Sequence, residues 1–124
     1  SSGLTMLAER AKREFNFDYA VANALGVADG ILTGEITIKV HYDQKEEWVR
    51  VAQRQFNADQ EEILAIGDSK GDMDMLRMAG LSIAFNPLSS RLESLATFSV
   101  YSTDLRDLIP PLISHLGPPT PSKD

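Results

Sequence analysis

The chain has no cysteine, which excludes disulfides and thiolate metal centres and is compatible with a reducing compartment. No apolar run approaches the roughly 20 residues of a membrane-spanning helix, and the first residues show no signal-peptide pattern, so the expected setting is cytoplasmic. Basic residues are a minority, 12 Lys and Arg against 18 Asp and Glu, and they form no cluster. With a formal net charge of −6 and a pI near 4.8, this argues against a nucleic-acid backbone or an anionic membrane surface as partner. No internal repeat is visible. What is present is ordinary globular material: 124 residues, 43% apolar and 24% charged, enough for one domain that buries roughly two-thirds of its unfolded surface.

Leu4, Leu7, Ala8, Ala11 and Phe15 recur at three- and four-residue steps and predict an amphipathic helix directly after Ser1-Ser2-Gly3. Tyr19 to Leu25 reads as a short buried strand. Gly26 to Val40, with Ile36 and Ile38 alternating and glycines at 30 and 34, reads as an antiparallel hairpin inserted like a flap. Asp43 and Glu46 have the spacing of a capping box, which puts Lys45 in the first turn of a helix carrying Trp48, Val49, Ala52 and Phe56 on its apolar face. Ile63 to Ile66 is a continuous apolar run, the pattern of a parallel strand buried on both faces, and it ends at Gly67-Asp68. A short helix with Leu76 and Ala79 stops at Gly80. Strands are expected at Leu81–Phe85 and Phe98–Tyr101, with a last short helix at Leu105, Leu108 and Ile109 before Pro110-Pro111. The alternation predicts an α/β fold, a Rossmann-like doubly wound and mostly parallel sheet with a β-hairpin insertion, whose ligands collect at the carboxyl ends of the strands. Residues 1–116 form this core, and the proline-rich stretch 117–124 is expected to be disordered.

Asp68 lies at the mouth of the sheet and Asp72 follows four residues later. Two such carboxylates suit Mg²⁺, which takes one or two protein carboxylates and completes its octahedron with water and phosphate oxygens. Taken alone, the pair reads as readily as turn and cap residues, and Asp74 reads as a solvent-facing helix residue. Lys45 near a helix start opposes the macrodipole slightly, which points to a local anion. Ser1 and Ser2, just before a helix, can offer hydroxyl and amide hydrogens to a phosphate; Ser-Ser-Gly is also a common vector-derived sequence.

Taken in order, these residues resemble the carboxyl-terminal part of a haloacid dehalogenase-like phosphatase, most similar to the phosphoserine phosphatase family. Ser1-Ser2-Gly3-Leu4-Thr5 resembles that family's Ser-Gly-Gly-Phe-Thr. Asn23 and Leu25, then Gly30, Leu32, Thr33 and Gly34, match its hairpin signature. Lys45 falls on the phosphate-binding lysine, Gly67-Asp68 and Asp72 fall on the metal motif, and Ala79 to Asn86 is similar to the stretch that follows. Where the family writes Gly-Asp-Gly-Ala-Asn-Asp, this chain has Ser69, Lys70 and Gly71 in the middle positions. The resemblance implies phosphate binding by Ser1, Ser2 and Lys45, a catalytic role for Lys45 and Asp72, Asp68 on Mg²⁺, and a small phosphorylated metabolite such as phosphoserine as substrate, within serine biosynthesis. It also implies a first motif, Asp-x-Asp ending an apolar strand, which supplies the nucleophile that forms an aspartyl-phosphate. Asp18, Asp29 and Asp43 do not have that context. The chain is therefore expected to be a fragment lacking the first strand and the cap, inactive alone and completed by an upstream segment or a homo-oligomer. The alternatives are a non-catalytic truncated relative that acts by binding or assembly, and a subunit completed by another chain.

Overall fold

The computed structural model describes residues 1–121. The apolar stripe after Gly3 folds as α1 (Thr5–Phe15), which stops where Asn16 turns left-handed at φ 55° and its amide returns to the Lys12 carbonyl. The chain then runs back to lie beside its own start. Asn23 N donates to Gly3 O at 2.9 Å and Thr5 N to Asn23 O at 2.7 Å. Of the strand expected over Tyr19–Leu25, Ala24 and Leu25 are in a strand, and before them the chain makes only an isolated parallel bridge between Leu4 and Asn23. Regular pairing begins with β1 (Ala24–Ala28), which turns through Asp29 and Gly30, both at positive φ, into β2 (Ile31–Thr37). This is the expected hairpin, its two central residues suited to the tight turn.

The next helix, α2 (Glu46–Phe56), starts without the capping box predicted from Asp43 and Glu46. Lys45 already has helical backbone angles and occupies the cap position with no side-chain cap, so the box register is displaced; the entry is made by turns, Gln44 N to His41 O and Glu47 N to Gln44 O. Capping boxes do form later, between Asp59 and Glu62 and between Ser69 and Asp72.

Three parallel strands make the main sheet in the order β3 (Leu64–Gly67), β4 (Leu81–Phe85), β5 (Phe98–Val100), with Leu64 opposite Leu81 and Ile83 opposite Phe98. The core lies against it: Ala65, Ala84, Met73 and Leu76 of α3 (Met73–Arg77), and Leu92 of α4 (Ser90–Leu95). β4 is buried from Leu81 to Ala84, as a central strand should be. β3 differs from expectation. Ala65 is buried, but Leu64 and Ile66 remain 37% and 40% exposed, because β3 is the edge of the sheet and its outer side faces an open groove. That groove, about 480 Å³, runs between α2 and β3 and is walled by Trp48, Val49, Phe56, Leu64, Ile66 and Met75.

After β5 a 3-10 turn (Leu105–Leu108) leads into α5 (Ile109–Leu116). Pro110 and Pro111 were expected to follow a helix; they begin one. At the first positions of a helix the missing amide has no intrahelical partner to lose and the fixed φ is already helical. Residues 117–121 are exposed and carry no regular structure; the rest of the predicted disordered tail, 122–124, lies outside the described residues.

Candidate active site

β3 carries Gly67 and Asp68 to its carboxyl end, where a tight loop turns into α3. The Asp72 carboxylate organises that loop. Its Oδ2 accepts from the Asp68 amide at 3.0 Å, the Ser69 amide at 3.1 Å and the Ser69 hydroxyl at 3.2 Å, and its Oδ1 accepts from Lys45 Nζ at 2.6 Å. Asp72 is only 4% exposed. Burial pushes its carboxyl up, but the Lys45 ammonium and the Ser69 and Asp68 amides outweigh this and hold it below the usual carboxylate range. The close fit explains Gly67: a Cβ there would lie 2.5 Å from Asp72 Cβ.

Lys45 arrives from the start of α2, so two segments distant in sequence meet at the carboxyl end of the parallel sheet. With Ser1, Gly67, Asp68, Asp72 and Phe85 it lines a cavity of about 410 Å³. The structure thus brings together four of the five residues singled out in the sequence. Ser2 is not on the cavity wall; its carbonyl accepts from Asn23 Nδ2 at 3.0 Å. Asp74 is half-exposed and pairs with Arg77 at 2.6 Å. Asp72 and Asp74 have Asp-x-Asp spacing, yet they sit at the start of a helix, one consumed by hydrogen bonds and the other turned to solvent.

The donor set can be tested against Mg²⁺. No group of three or more His, Cys, Asp or Glu side chains able to hold a metal occurs among the described residues, and both Asp72 oxygens already accept hydrogen bonds. Asp68 is exposed and no hydrogen bond or ion pair engages its carboxylate among the described residues. One free carboxylate beside this cavity fits a cation that takes most of its ligands from water and phosphate.

Sequence reasoning gave Asn23 no role beyond matching a signature, although it sets the site's frame. Its side chain donates to Ser2 O and Val40 O and accepts from the Lys39 and Val40 amides at 2.8 and 2.9 Å, tying the Ser1 turn to the segment that leads to Lys45. The available signal was an amide side chain in an otherwise apolar stretch.

Comparison with known proteins agrees with this geometry. The sequence pattern of the haloacid dehalogenase-like hydrolases matches residues 1–77. A phosphoserine phosphatase of Idiomarina loihiensis is 36% identical over 110 residues, covering 88% of this chain and 50% of that protein; one of Methanocaldococcus jannaschii is 32% identical over 112 residues, covering 88% and 52%. The chain spans about half or less of the length of the curated relatives it matches. A crystal structure of phosphoserine phosphatase in apo form superposes with a TM-score of 0.80 at 31% identity, covering 89% of this chain and 55% of that one, and a substrate-bound phosphoserine phosphatase complex gives 0.78. On its parallel sheet, its acidic loop at the strand ends and the match over residues 1–77, the chain belongs to the haloacid dehalogenase-like hydrolase family.

Proposed function

We propose that the complete gene product is a Mg²⁺-dependent phosphomonoester hydrolase acting on phosphoserine or a similar small phosphorylated metabolite, and that residues 1–116 are the carboxyl-terminal part of its catalytic core. A cytoplasmic setting and a part in serine biosynthesis belong to the same reading. The observation that carries it is the approach of the Lys45 ammonium and the free Asp68 carboxylate to one cavity at the carboxyl ends of parallel strands. The names of the relatives support the substrate class.

In this reading Lys45 neutralises the phosphoryl oxygens and the Ser1 hydroxyl donates to them, which stabilises charge as it develops. Ser2 contributes through the backbone of the same turn. Asp68 would hold Mg²⁺, which supplies Lewis-acid polarisation of a phosphoryl oxygen when bound. Asp72 holds Lys45 and the Asp68 loop in place. Among the described residues no aspartate ends an apolar strand with a second aspartate two residues on, so in this reading the nucleophile comes from other polypeptide, on a strand seated in the groove beside β3.

The test is phosphate release from phosphoserine by the complete gene product. Asp68→Asn and Lys45→Ala should each lower kcat/KM by about 100-fold or more, the usual scale for losing one charge-stabilising group. Chelation should stop turnover and Mg²⁺ restore it. Turnover indifferent to Lys45→Ala would sink the assignment of the phosphate site.

A further inference from the structure

Tyr42 lies beside this site with no role assigned by the sequence. Its ring centroid is 5.8 Å from Lys45 Nζ, within the range where an aromatic face attracts an ammonium. Its other neighbour is Gly71, buried in the acidic loop. A Cβ on Gly71 would lie 2.5 Å from the Tyr42 carbonyl oxygen and 2.7 and 2.8 Å from two ring carbons. No side chain fits there unless Tyr42 moves. Gly71 is also the position where the resembled motif carries asparagine, so in this chain the space that asparagine would take is filled by a tyrosine ring from a different segment.

We infer that Tyr42 is a positioning residue of the phosphate site: its ring, seated on Gly71, holds the Lys45 ammonium toward the cavity. Lys45 has a flexible four-carbon stem whose rotamers must be restricted before it can serve a phosphate. Asp72 restrains the ammonium through an ion pair at 2.6 Å, and the Tyr42 face supplies a second restraint that does not neutralise the charge. Tyr42 is 53% exposed, so its attraction is of the solvent-facing kind and its expected effect is modest. The role rests on the phosphohydrolase reading of the site.

The test is calorimetric binding of inorganic phosphate to the complete gene product in Mg²⁺ buffer. Tyr42→Leu, which keeps bulk but loses the π face, should weaken phosphate binding about two- to fivefold. Tyr42→Phe should stay within about twofold of the unaltered protein. Gly71→Ala, whose added Cβ meets both the Tyr42 ring and the Tyr42 carbonyl, should weaken binding at least as much as Tyr42→Leu. A Tyr42→Leu protein that binds phosphate as well as the unaltered one overturns the inference alone; an unaltered protein that binds no phosphate overturns the phosphohydrolase reading and this role with it. Should the leucine variant fail to fold, the unaltered protein still decides. Its Lys45 side-chain methylene protons should resonate upfield from the Tyr42 ring current, and unshifted resonances overturn the inference.

Discussion

At the scale of single residues, the site depends on a few side chains that collect many backbone partners. Asn23 is the clearest, 6% exposed and bonded to four backbone groups on two segments. Asn23→Ala leaves the buried Val40 amide and carbonyl without these partners. At roughly 1–3 kcal/mol for each stranded group, the loss should be about 2–5 kcal/mol, read as a lower urea midpoint at unchanged slope. Asp72 gives a second expectation, with a sign. Its folded pKa is lowered, so its contribution is fully present above the ordinary carboxylate value of about 4 and is lost as pH falls through the lower folded value. In metal-free buffer, stability should hold from neutral pH to about pH 4 and then fall, and Asp72→Asn should flatten that acid limb. An acid limb of equal steepness in the variant would assign it to other carboxylates.

Between secondary-structure elements, the contrast is between a well-buried central strand and a hairpin in the open. β4 has four consecutive buried residues, whereas every residue of β2 is exposed and Ile31 is 72% exposed. Opening free energies differ accordingly, so hydrogen exchange should be slowest in peptides covering Leu81–Phe85 and fast across Ile31–Thr37. Equal protection would mean that something covers the hairpin. The same contrast separates what the sequence could convey from what it could not. α1, the hairpin and the strand–turn–helix around Asp68 were legible because each is written in local periodicity and turn chemistry. The capping box at Asp43 was misread because its spacing recurs by chance, and only the backbone angles of Lys45 decide where α2 begins. Burial of β3 was overstated because the run Ile63–Ile66 shows that a strand is apolar, not which neighbour covers it. At the site, Ser1, Lys45, Asp68 and Asp72 were visible as an ordered motif. Asn23 clamping Val40, 17 residues away, and Tyr42 resting on Gly71 are contacts between distant segments, and no local pattern announces them.

For the molecule as a whole, the notable feature is the apolar groove along β3, next to the carboxyl end of the sheet. Among the described residues β3 has a strand on one side only, and such an edge beside exposed Leu64 and Ile66 is a template for another strand. In the proposed function, the phosphate and metal side of the site adjoins a place where further backbone can pair. This links the fold to the proposed chemistry, in which the residues described here stabilise charge and the attacking group arrives on a strand that fills the groove. No helix among the described residues is long and apolar enough to cross a membrane, which leaves the groove and the hairpin as the surfaces that most need an account. The most direct measurement is Mg²⁺-dependent phosphate release from phosphoserine by the pure 124-residue chain, compared with the complete gene product. The complete product should turn over phosphoserine, and the 124-residue chain should release no phosphate above background. Reproducible turnover by that chain, abolished by Asp68→Asn, would place a nucleophile within it and contradict the division of the site drawn here.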